Sequence, residues 1–143
     1  MEMEPVTAQA GAICIVNDRV VLLTNKNSTR WVIPKGHLEP TDSDYWARAV
    51  AESWEEGGVK CSDTETPYCL GEFLYRKGGG KLCKVRVFLL KNVTLAEEWP
   101  EKKLRKRILV SPKEAAKMVK EPELATMLKE LGTFLSTEKE ELR

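Results

Sequence analysis

The stretch VAESWEEGGV, residues 50–59, ends a helical pattern with a pair of glycines, and strand-like runs lie on both sides of it. Apolar residues recur at helical spacing from about Asp44 to Glu56, and Ser43 or Asp44 can cap the first turn. Gly57-Gly58 supplies a left-handed C-terminal cap. A helix closed in this way among strands predicts a mixed α/β or α+β fold, not an all-parallel one.

The other elements agree with a mixed fold. GAICIV and RVVLLT are β-rich runs around Asn17-Asp18, which is a hairpin signal. RWVIP is expected to be a short strand and KGHLEPTDSD a loop, and YCLGEFLYRK and KLCKVRVFLLKNV form a second hairpin with glycines at its tip. TLAEEWPEKKLRKR is expected to be a charged connection. Helices follow from Ser111 and from Pro122, and the tail STEKEELR is expected to fray. A single domain over residues 1–143 is predicted.

Composition excludes several classes of protein. Hydrophobic residues make up 42% and charged residues 31% of the chain, the balance of a globular domain. A net charge of +1 gives no global field that favours nucleic acid or a membrane, and the longest apolar runs are too short to span a bilayer. Four cysteines without a C-x-x-C pair are expected to be reduced thiols, and the N-terminus shows no targeting pattern. The chain is therefore predicted to be cytoplasmic, and nothing in the sequence specifies an oligomeric state.

Three glutamates lie near the end of the first helix. Glu52, Glu55 and Glu56 have i, i+3 and i+4 spacing, so they project from one face. Like charges at such spacing repel by roughly 0.2–0.5 kcal/mol per pair. One interpretation is a solvated helix face. The other is a site for a hard divalent cation such as Mg²⁺, which prefers carboxylate oxygens and would remove the repulsion.

The segment GHLEPTDSDYWARAVAESWEEGGV, residues 36–59, resembles the Nudix box, which reads G-x5-E-x7-R-E-U-x-E-E-x-G-U with U apolar. Gly36 matches the first glycine, the three glutamates match the box glutamates, and Gly58 and Val59 match its end. The preceding RWVIPKGHLEP is similar to the approach strand and loop of that family. The resemblance implies a Nudix-type α/β/α sandwich with a mixed β-sheet.

The resemblance also implies an activity. Nudix enzymes cleave a diphosphate linked to another group, so a metal-dependent pyrophosphohydrolase acting on phosphoanhydride bonds is expected. Mg²⁺ or Mn²⁺ would be held by Glu52, Glu55, Glu56 and the Gly36 carbonyl. Such cations neutralise phosphate oxygens and lower the pKa of a bound water, whose proton a carboxylate then takes. The three glutamates are the implied catalytic residues, with Glu55 or Glu56 as the base unless a later loop supplies it.

The chain departs from the family pattern in the middle of the box. Asp42 stands at the position of the first box glutamate, and the stretch after it is one residue longer than the pattern. Ala51 replaces the arginine that in the family helps to orient the acidic residues. Arg48 lies four residues before Glu52, on the same helical face, and we hypothesise that it partly substitutes for that arginine.

Basic residues are the guide to the substrate. Some precede the box, two alternate on one strand and share a face, and one lies in the run KKLRKR. The alternative for that run is a solvated surface loop. The expected substrate-binding residues are Arg30, Lys35, Lys84, Arg86 and Arg105.

Two kinds of substrate fit the resemblance. The second half of the chain is similar to diphosphoinositol polyphosphate phosphohydrolases, whereas PKGHLEP is more similar to dinucleoside tetraphosphate hydrolases. We lean slightly to diphosphoinositol polyphosphates, with dinucleoside polyphosphates as the alternative. A third reading is a Nudix-fold protein that binds nucleotides or RNA without hydrolysis. His37, the single histidine, is interpreted as a hydrogen-bonding loop residue more readily than as a catalytic one.

Overall fold

Nine strands and three helices are present in the computed structural model, which describes residues 3–62 and 67–141. None of the helices in these ranges combines the length and apolar character needed to cross a membrane. In chain order the elements are β1 (Thr7–Val16), β2 (Arg19–Thr24), β3 (Trp31–Val32), β4 (Lys35–His37), α1 (Tyr45–Gly57), β5 (Val59–Cys61), β6 (Cys69–Arg76), β7 (Leu82–Leu90), β8 (Val93–Leu95), β9 (Arg107–Val110), α2 (Pro112–Met118) and α3 (Pro122–Glu141).

Seven strands of the described ranges form one mixed sheet. Its order is β3-β2-β1-β7-β6, with β4 paired to β1 and β9 paired to β2. The β1–β7 pair is parallel and the other pairs are antiparallel. β5 and β8 form a separate two-stranded sheet. The mixed sheet confirms the predicted α+β class.

Helices cover both faces of the large sheet. Alternation along a strand sends successive side chains to opposite faces. One buried cluster includes Ile13, Val85 and Leu128 and lies between the sheet and the pair α2–α3. The other includes Ala10, Ala49 and Leu90 and lies under α1. This is the layered sandwich that the resemblance implies.

The close approach of β4 to β1 depends on a glycine. Gly11 pairs with Lys35, and a Cβ at Gly11 would stand only 2.8 Å from the Pro34 carbonyl oxygen. The Ala12 amide donates a 3.0 Å hydrogen bond to that same oxygen. A side chain at position 11 would therefore push β4 away from the sheet.

Most predicted elements are confirmed. Asn17 and Asp18 have positive φ angles of 50° and 61°, as a two-residue hairpin turn requires. Asp44 caps α1 through a bond from the Ala47 amide, and Gly58 ends the helix with a φ of 63°. The four cysteines all lie in the described residues, and no disulfide joins them.

Three local expectations were wrong. The sequence predicts a loop at Lys35–His37, but these residues form strand β4, because their backbone pairs with residues 9–11 of β1. The strands β5 and β8 were missed because each has three residues, too few for alternation to appear. The tail was expected to fray, but α3 continues to Glu141, because Glu and Lys are good helix formers and Lys139 pairs with Asp18 at 2.8 Å.

Candidate active site

Glu52 faces the backbone of β4 at Gly36. A Cβ at Gly36 would overlap the Glu52 carboxylate, so only glycine leaves room for it. Oε2 of Glu52 is buried and has no hydrogen-bond partner among the described residues. Burial, followed by the charges of Glu56 and Glu55, raises the pKa of Glu52 to about 8. The site thus contains a carboxylate with one buried oxygen, Oε2, that accepts no hydrogen bond from the described protein atoms.

Glu56 is held at both carboxylate oxygens. Oε1 accepts a 3.0 Å hydrogen bond from the Lys35 amide, and Oε2 accepts a 2.9 Å bond from the Arg105 guanidinium. Burial raises the pKa of Glu56, while Arg105 and the Lys35 amide oppose the rise. Glu56 is therefore fixed in orientation before any ligand arrives.

The three glutamates differ in how they are held. The side chain of Glu55 has no ion pair or hydrogen bond described within residues 3–62 and 67–141, although its carbonyl accepts from the Glu101 amide. In the same ranges, no three His, Cys, Asp or Glu side chains are gathered closely enough to hold a metal ion. The three carboxylates of this face therefore differ. Glu52 has a buried oxygen without a hydrogen bond, the Glu55 side chain has no described partner, and Glu56 accepts hydrogen bonds at both oxygens.

Arg48 links the long box loop to α1. Its guanidinium donates bonds of 2.9 and 3.0 Å to the Asp42 carboxylate, and its Nη1 lies 3.9 Å from Oε1 of Glu52. The hydrogen bond from Arg48 lowers the pKa of Asp42. Arg48 thus lies on the Glu52 face, as its spacing predicts, and its tightest partner is the residue at the position of the first box glutamate.

The predicted substrate-binding residues lie on two faces of the sheet. Lys35 lies on the side of α2 and α3, with its Nζ 4.8 Å from the centre of the Tyr75 ring. Burial lowers the pKa of Lys35, and Arg30 contributes to the lowering. Arg30 itself donates a 2.7 Å bond to the buried Glu121 at the start of α3.

Lys84 and Arg86 lie on the α1 side of the sheet. Both pair with Glu72 on β6, at 3.6 and 3.3 Å, and the Arg86 guanidinium stacks 4.0 Å from the centre of the Tyr45 ring. The structure therefore does not bring them together with Lys35.

The run KKLRKR is divided between the interior and the surface. Arg105 bonds to Glu56, Glu101 and the Thr24 carbonyl, and its side chain is 7% exposed. Arg107 bonds to the Gly57 and Ala96 carbonyls and stacks on Trp99. The lysines of the run are exposed.

Sequence reasoning missed a polar network beside Gly36. Gln9 is 2% exposed. Its Nε2 lies 3.3 Å from Nδ1 of His37, and its Oε1 accepts a 2.8 Å hydrogen bond from the Tyr75 hydroxyl. Lys77 Nζ lies 2.9 Å from Nε2 of His37. Burial and the charges of Lys77 and Lys81 lower the pKa of His37. No motif marks these positions; the β1–β4 pair brings Gln9 to His37, and the β1–β7 and β6–β7 pairs bring Tyr75 to them.

Comparison with known proteins gives a consistent family. A NUDIX domain model matches residues 6–131. Nudix hydrolase 12, mitochondrial, of Arabidopsis thaliana is 30% identical over 141 residues, which cover 93% of this chain and 68% of that protein.

Solved structures share the fold. A binary complex of a C. elegans Ap4A hydrolase has a TM-score of 0.68 at 23% identity, covering 92% of this chain and 99% of that one. A NUDIX hydrolase from Nitrosomonas europaea has a TM-score of 0.70 at 16% identity, covering 87% of each chain. The domain match spans most of the sequence, and the mixed sheet between α1 and the pair α2–α3 agrees with it. The chain therefore belongs to the Nudix hydrolases, enzymes that act on phosphoanhydride bonds.

Proposed function

We propose that the chain is a metal-dependent pyrophosphohydrolase that cleaves a polyphosphate, with a dinucleoside polyphosphate of the Ap4A type as the first candidate. The observation that carries this proposal is the buried Glu52 carboxylate, whose Oε2 has no partner among the described residues. A buried charge without a partner is costly, and such groups are normally paired or bound to a metal. Arg48 lies 3.9 Å from the other oxygen, Oε1, so a cation would supply the partner that Oε2 lacks.

The donor chemistry of the site suits a hard divalent cation, and the carboxylates would have to turn towards one another to hold it, because no three of them are gathered closely enough among the described residues. Glu52, Glu55 and Glu56, with the Gly36 carbonyl, would hold Mg²⁺ or Mn²⁺, because carboxylate and carbonyl oxygens are the ligands that such cations prefer. A metal bound there would neutralise phosphate charge and lower the pKa of a water. The crowding of Glu52 against Gly36 keeps the acid within reach of that backbone.

The glutamates divide the remaining tasks. The Glu56 carboxylate is fixed by Arg105 and the Lys35 amide, so it serves as a rigid ligand. Glu55 has no described partner and is only half-buried, so its carboxylate can take the proton of the attacking water. We therefore assign the general base to Glu55.

Lys35 is the basic residue best placed for substrate. Its ammonium has an aromatic ring beneath it, and the described residues provide no hydrogen bond or ion pair to its Nζ. A partly buried cation held in this way is suited to a phosphate oxygen. Arg30 lies on the same side, bound to Glu121.

The positions of the other basic residues favour a dinucleoside polyphosphate. The preference for diphosphoinositol polyphosphates depended on many basic groups, but Arg105 is committed to Glu56, and Lys84 and Arg86 pair with Glu72. An Ap4A hydrolase is also among the proteins that share the fold. Diphosphoinositol polyphosphates remain the second candidate, favoured by the exposed lysines of the run KKLRKR.

RNA binding without hydrolysis receives less support. It needs exposed aromatic side chains on a basic surface. Trp46 packs edge-on against Phe88 at 5.7 Å, Trp99 stacks with Arg107, and Trp54 lies under Lys60. These rings are engaged within the fold.

A substrate panel tests the function. Ap4A, a diphosphoinositol polyphosphate, a nucleoside triphosphate and capped RNA are incubated with Mg²⁺, with Mn²⁺ and with EDTA, and the products are identified by mass spectrometry. We expect metal-dependent cleavage that is fastest for Ap4A. Faster cleavage of the diphosphoinositol compound would reassign the substrate, and no cleavage of any compound would refute the proposed enzyme.

The compartment is a separate proposal. The cysteine pattern favours the cytoplasm, whereas the Arabidopsis relative carries a mitochondrial name. Imaging of a tagged full-length chain in its own cells distinguishes the two.

A further inference from the structure

The last turn of α1 is held by a distant segment, residues 96–107, which connects β8 to the start of β9. An α-helix leaves its last four carbonyl groups without an intrahelical partner. In α1 the first of these, the Trp54 carbonyl, accepts a hydrogen bond from the Gly58 amide, which is the local cap. The other three accept hydrogen bonds from the 96–107 segment, and they are the carbonyls of Glu55, Glu56 and Gly57.

The segment uses three kinds of donor for these carbonyls. In the order of the acceptors they are a backbone amide, an indole N–H and a guanidinium N–H, from Glu101, Trp99 and Arg107, at 3.0, 3.0 and 2.9 Å. The carbonyl of Gly58, just beyond the helix, accepts a 2.8 Å bond from the Ala96 amide. Every carbonyl of the final turn therefore has a partner within the protein, and the turn is held against fraying.

Trp99 is the centre of this contact. Its ring lies directly against Gly58, where a Cβ would stand only 2.6 Å from the ring carbons. The Arg107 guanidinium stacks 4.1 Å from the centre of the same ring. These two contacts fix the plane of the indole, so the direction of its single N–H towards the Glu56 carbonyl is fixed as well.

The charge of Arg107 suits this end of the helix. The aligned peptide dipoles give a helix C-terminus a partial negative charge of roughly −0.5. The last turn of α1 contains two glutamates and no basic residue, an arrangement that the dipole disfavours. Arg107 supplies from outside the helix the positive charge that the turn itself lacks.

We propose that Trp99 is a positioning residue for the active site, whose indole N–H fixes the backbone of Glu56 and thereby the direction in which the Glu56 carboxylate is presented to a divalent cation. Arg105 and the Lys35 amide hold the far end of this side chain, at its carboxylate, and Trp99 holds the near end, at the carbonyl. Trp99 acts through Glu56 and is not itself a ligand. The cation rests on the proposed function, whereas the hydrogen bond does not.

Hydrogen exchange of the indole protons is the first test. The four indole signals are assigned in the wild-type chain by triple-resonance NMR in EDTA, and their exchange with D₂O is followed. The proton of Trp99 should exchange about fivefold or more slowly than that of Trp54, whose indole lies under Lys60 and has no hydrogen bond among the described residues. Equal exchange rates would overturn the proposal, and this measurement needs no variant to fold.

Metal binding by Trp99→Phe is the second test. Phenylalanine keeps an aromatic ring against Gly58 but has no N–H to donate. Binding of Mn²⁺ is followed by the electron paramagnetic resonance of the free ion, which also measures weak binding. Trp99→Phe should weaken it about threefold to tenfold, the effect of one hydrogen bond. Trp54→Phe, the matched control on α1, should bind Mn²⁺ as the wild type does, and unchanged binding by Trp99→Phe would refute the role.

A double-mutant cycle with Glu56→Gln separates positioning from a general effect on the fold. In that background Trp99→Phe should cause no further loss of Mn²⁺ affinity, because the carboxylate that Trp99 positions is already absent. An equal loss in both backgrounds would show that Trp99 does not act through Glu56. If the wild type binds no Mn²⁺, the proposed function fails together with this role of Trp99, whereas wild-type binding that Trp99→Phe retains in full removes the role alone.

Discussion

Arg105 donates a 2.9 Å hydrogen bond from Nη2 to Oε2 of Glu56, across 49 positions of sequence. Both side chains are nearly buried, and the arginine also bonds to Glu101 and to the Thr24 carbonyl. A residue expected to bind substrate therefore holds a residue of the box in place. The orientation of Glu56 is set by the connection between β8 and β9 as well as by its own helix.

Removing Arg105 should damage both stability and turnover. Arg105→Ala leaves Glu56 buried without its charged partner, and breaking such a pair costs about 3–5 kcal/mol. We expect a loss of that order in the free energy of unfolding, measured in urea, and a lower kcat. Arg105→Lys should recover part of each, because a lysine restores the charge but not the forked geometry.

Lys103→Ala is the matched control for this change, because Lys103 belongs to the same basic run and is exposed. It should leave stability and kcat near wild-type values. Equal effects of the two alanine variants would show that the run acts only through its overall charge.

Glu52→Gln should stabilise the protein without metal while abolishing its response to metal. At pH 9, above the pKa of about 8, Glu52 is ionised, and the amide removes a charge that burial and two neighbouring carboxylates make unfavourable. Thermal unfolding in EDTA should therefore occur at a higher temperature than in the wild type. Saturating Mn²⁺ should raise the wild-type stability, by about 2.7 kcal/mol at one hundred times the dissociation constant. The same Mn²⁺ concentration should not change the stability of Glu52→Gln. An equal increase in the stability of both proteins would show that Glu52 is not a metal ligand.

Glu55→Gln and Glu56→Gln should separate the base from the rigid ligand. Glu55→Gln should lower kcat by a much larger factor than it weakens Mn²⁺ binding, since it removes the base together with only one of the proposed ligands and disturbs no other described side-chain contact. Glu56→Gln should weaken Mn²⁺ binding, measured by calorimetry, and should also leave Arg105 without its charged partner. If Glu55→Gln retains full kcat, the base lies elsewhere.

The pair Asp42–Arg48 should contribute stability that depends on pH. The pKa of Asp42 in the folded protein is lowered from 3.8, so the unfolded chain binds its proton first as the pH falls. The contribution is complete well above pH 3.8 and is lost as the pH falls through the folded value. The stability difference between wild type and Asp42→Asn should therefore be largest near neutral pH and should shrink below pH 4. A difference independent of pH would exclude the ion pair as its source.

Arg48→Ala tests whether that arginine takes the place of the one missing at Ala51. We expect weaker Mn²⁺ binding and lower kcat, because Glu52 loses a cation 3.9 Å away and Asp42 loses its partner. Adding Ala51→Arg to this variant should restore part of both. Full activity and metal affinity of Arg48→Ala would refute the substitution hypothesis.

Cys14 should resist alkylation in the native protein. Its burial raises the pKa of the thiol to about 12, so the reactive thiolate is scarce at pH 8. Cys69 is exposed and should be labelled by iodoacetamide within the same period. Peptide mass spectrometry after brief labelling measures both, and labelling in urea should modify them equally. Rapid native labelling of Cys14 would contradict the position of β1 in the core.

The sequence was sufficient where structure is determined locally. The caps at Asp44 and Gly58 and the turn at Asn17 depend on residues only a few positions apart, so the sequence predicts them correctly. The Arg105–Glu56 bond could not be predicted, because spacing along a chain carries no information about partners 49 residues apart. The division of Lys35 and Arg86 between two faces depends on the position of β4, a segment whose sequence is typical of a loop.

The pairing of β4 with β1 determines which residues of the active site face each side of the sheet. Its residues 9–11 lie opposite His37, Gly36 and Lys35, so alternation points Gly36 towards α1 and its two neighbours towards the other layer. A slip of one position between these strands would exchange them, placing a lysine against Glu52 and a glycine beneath Tyr75. Substitutions in β1 that shift this register would therefore abolish activity, although every acidic and basic residue of the site would still be present.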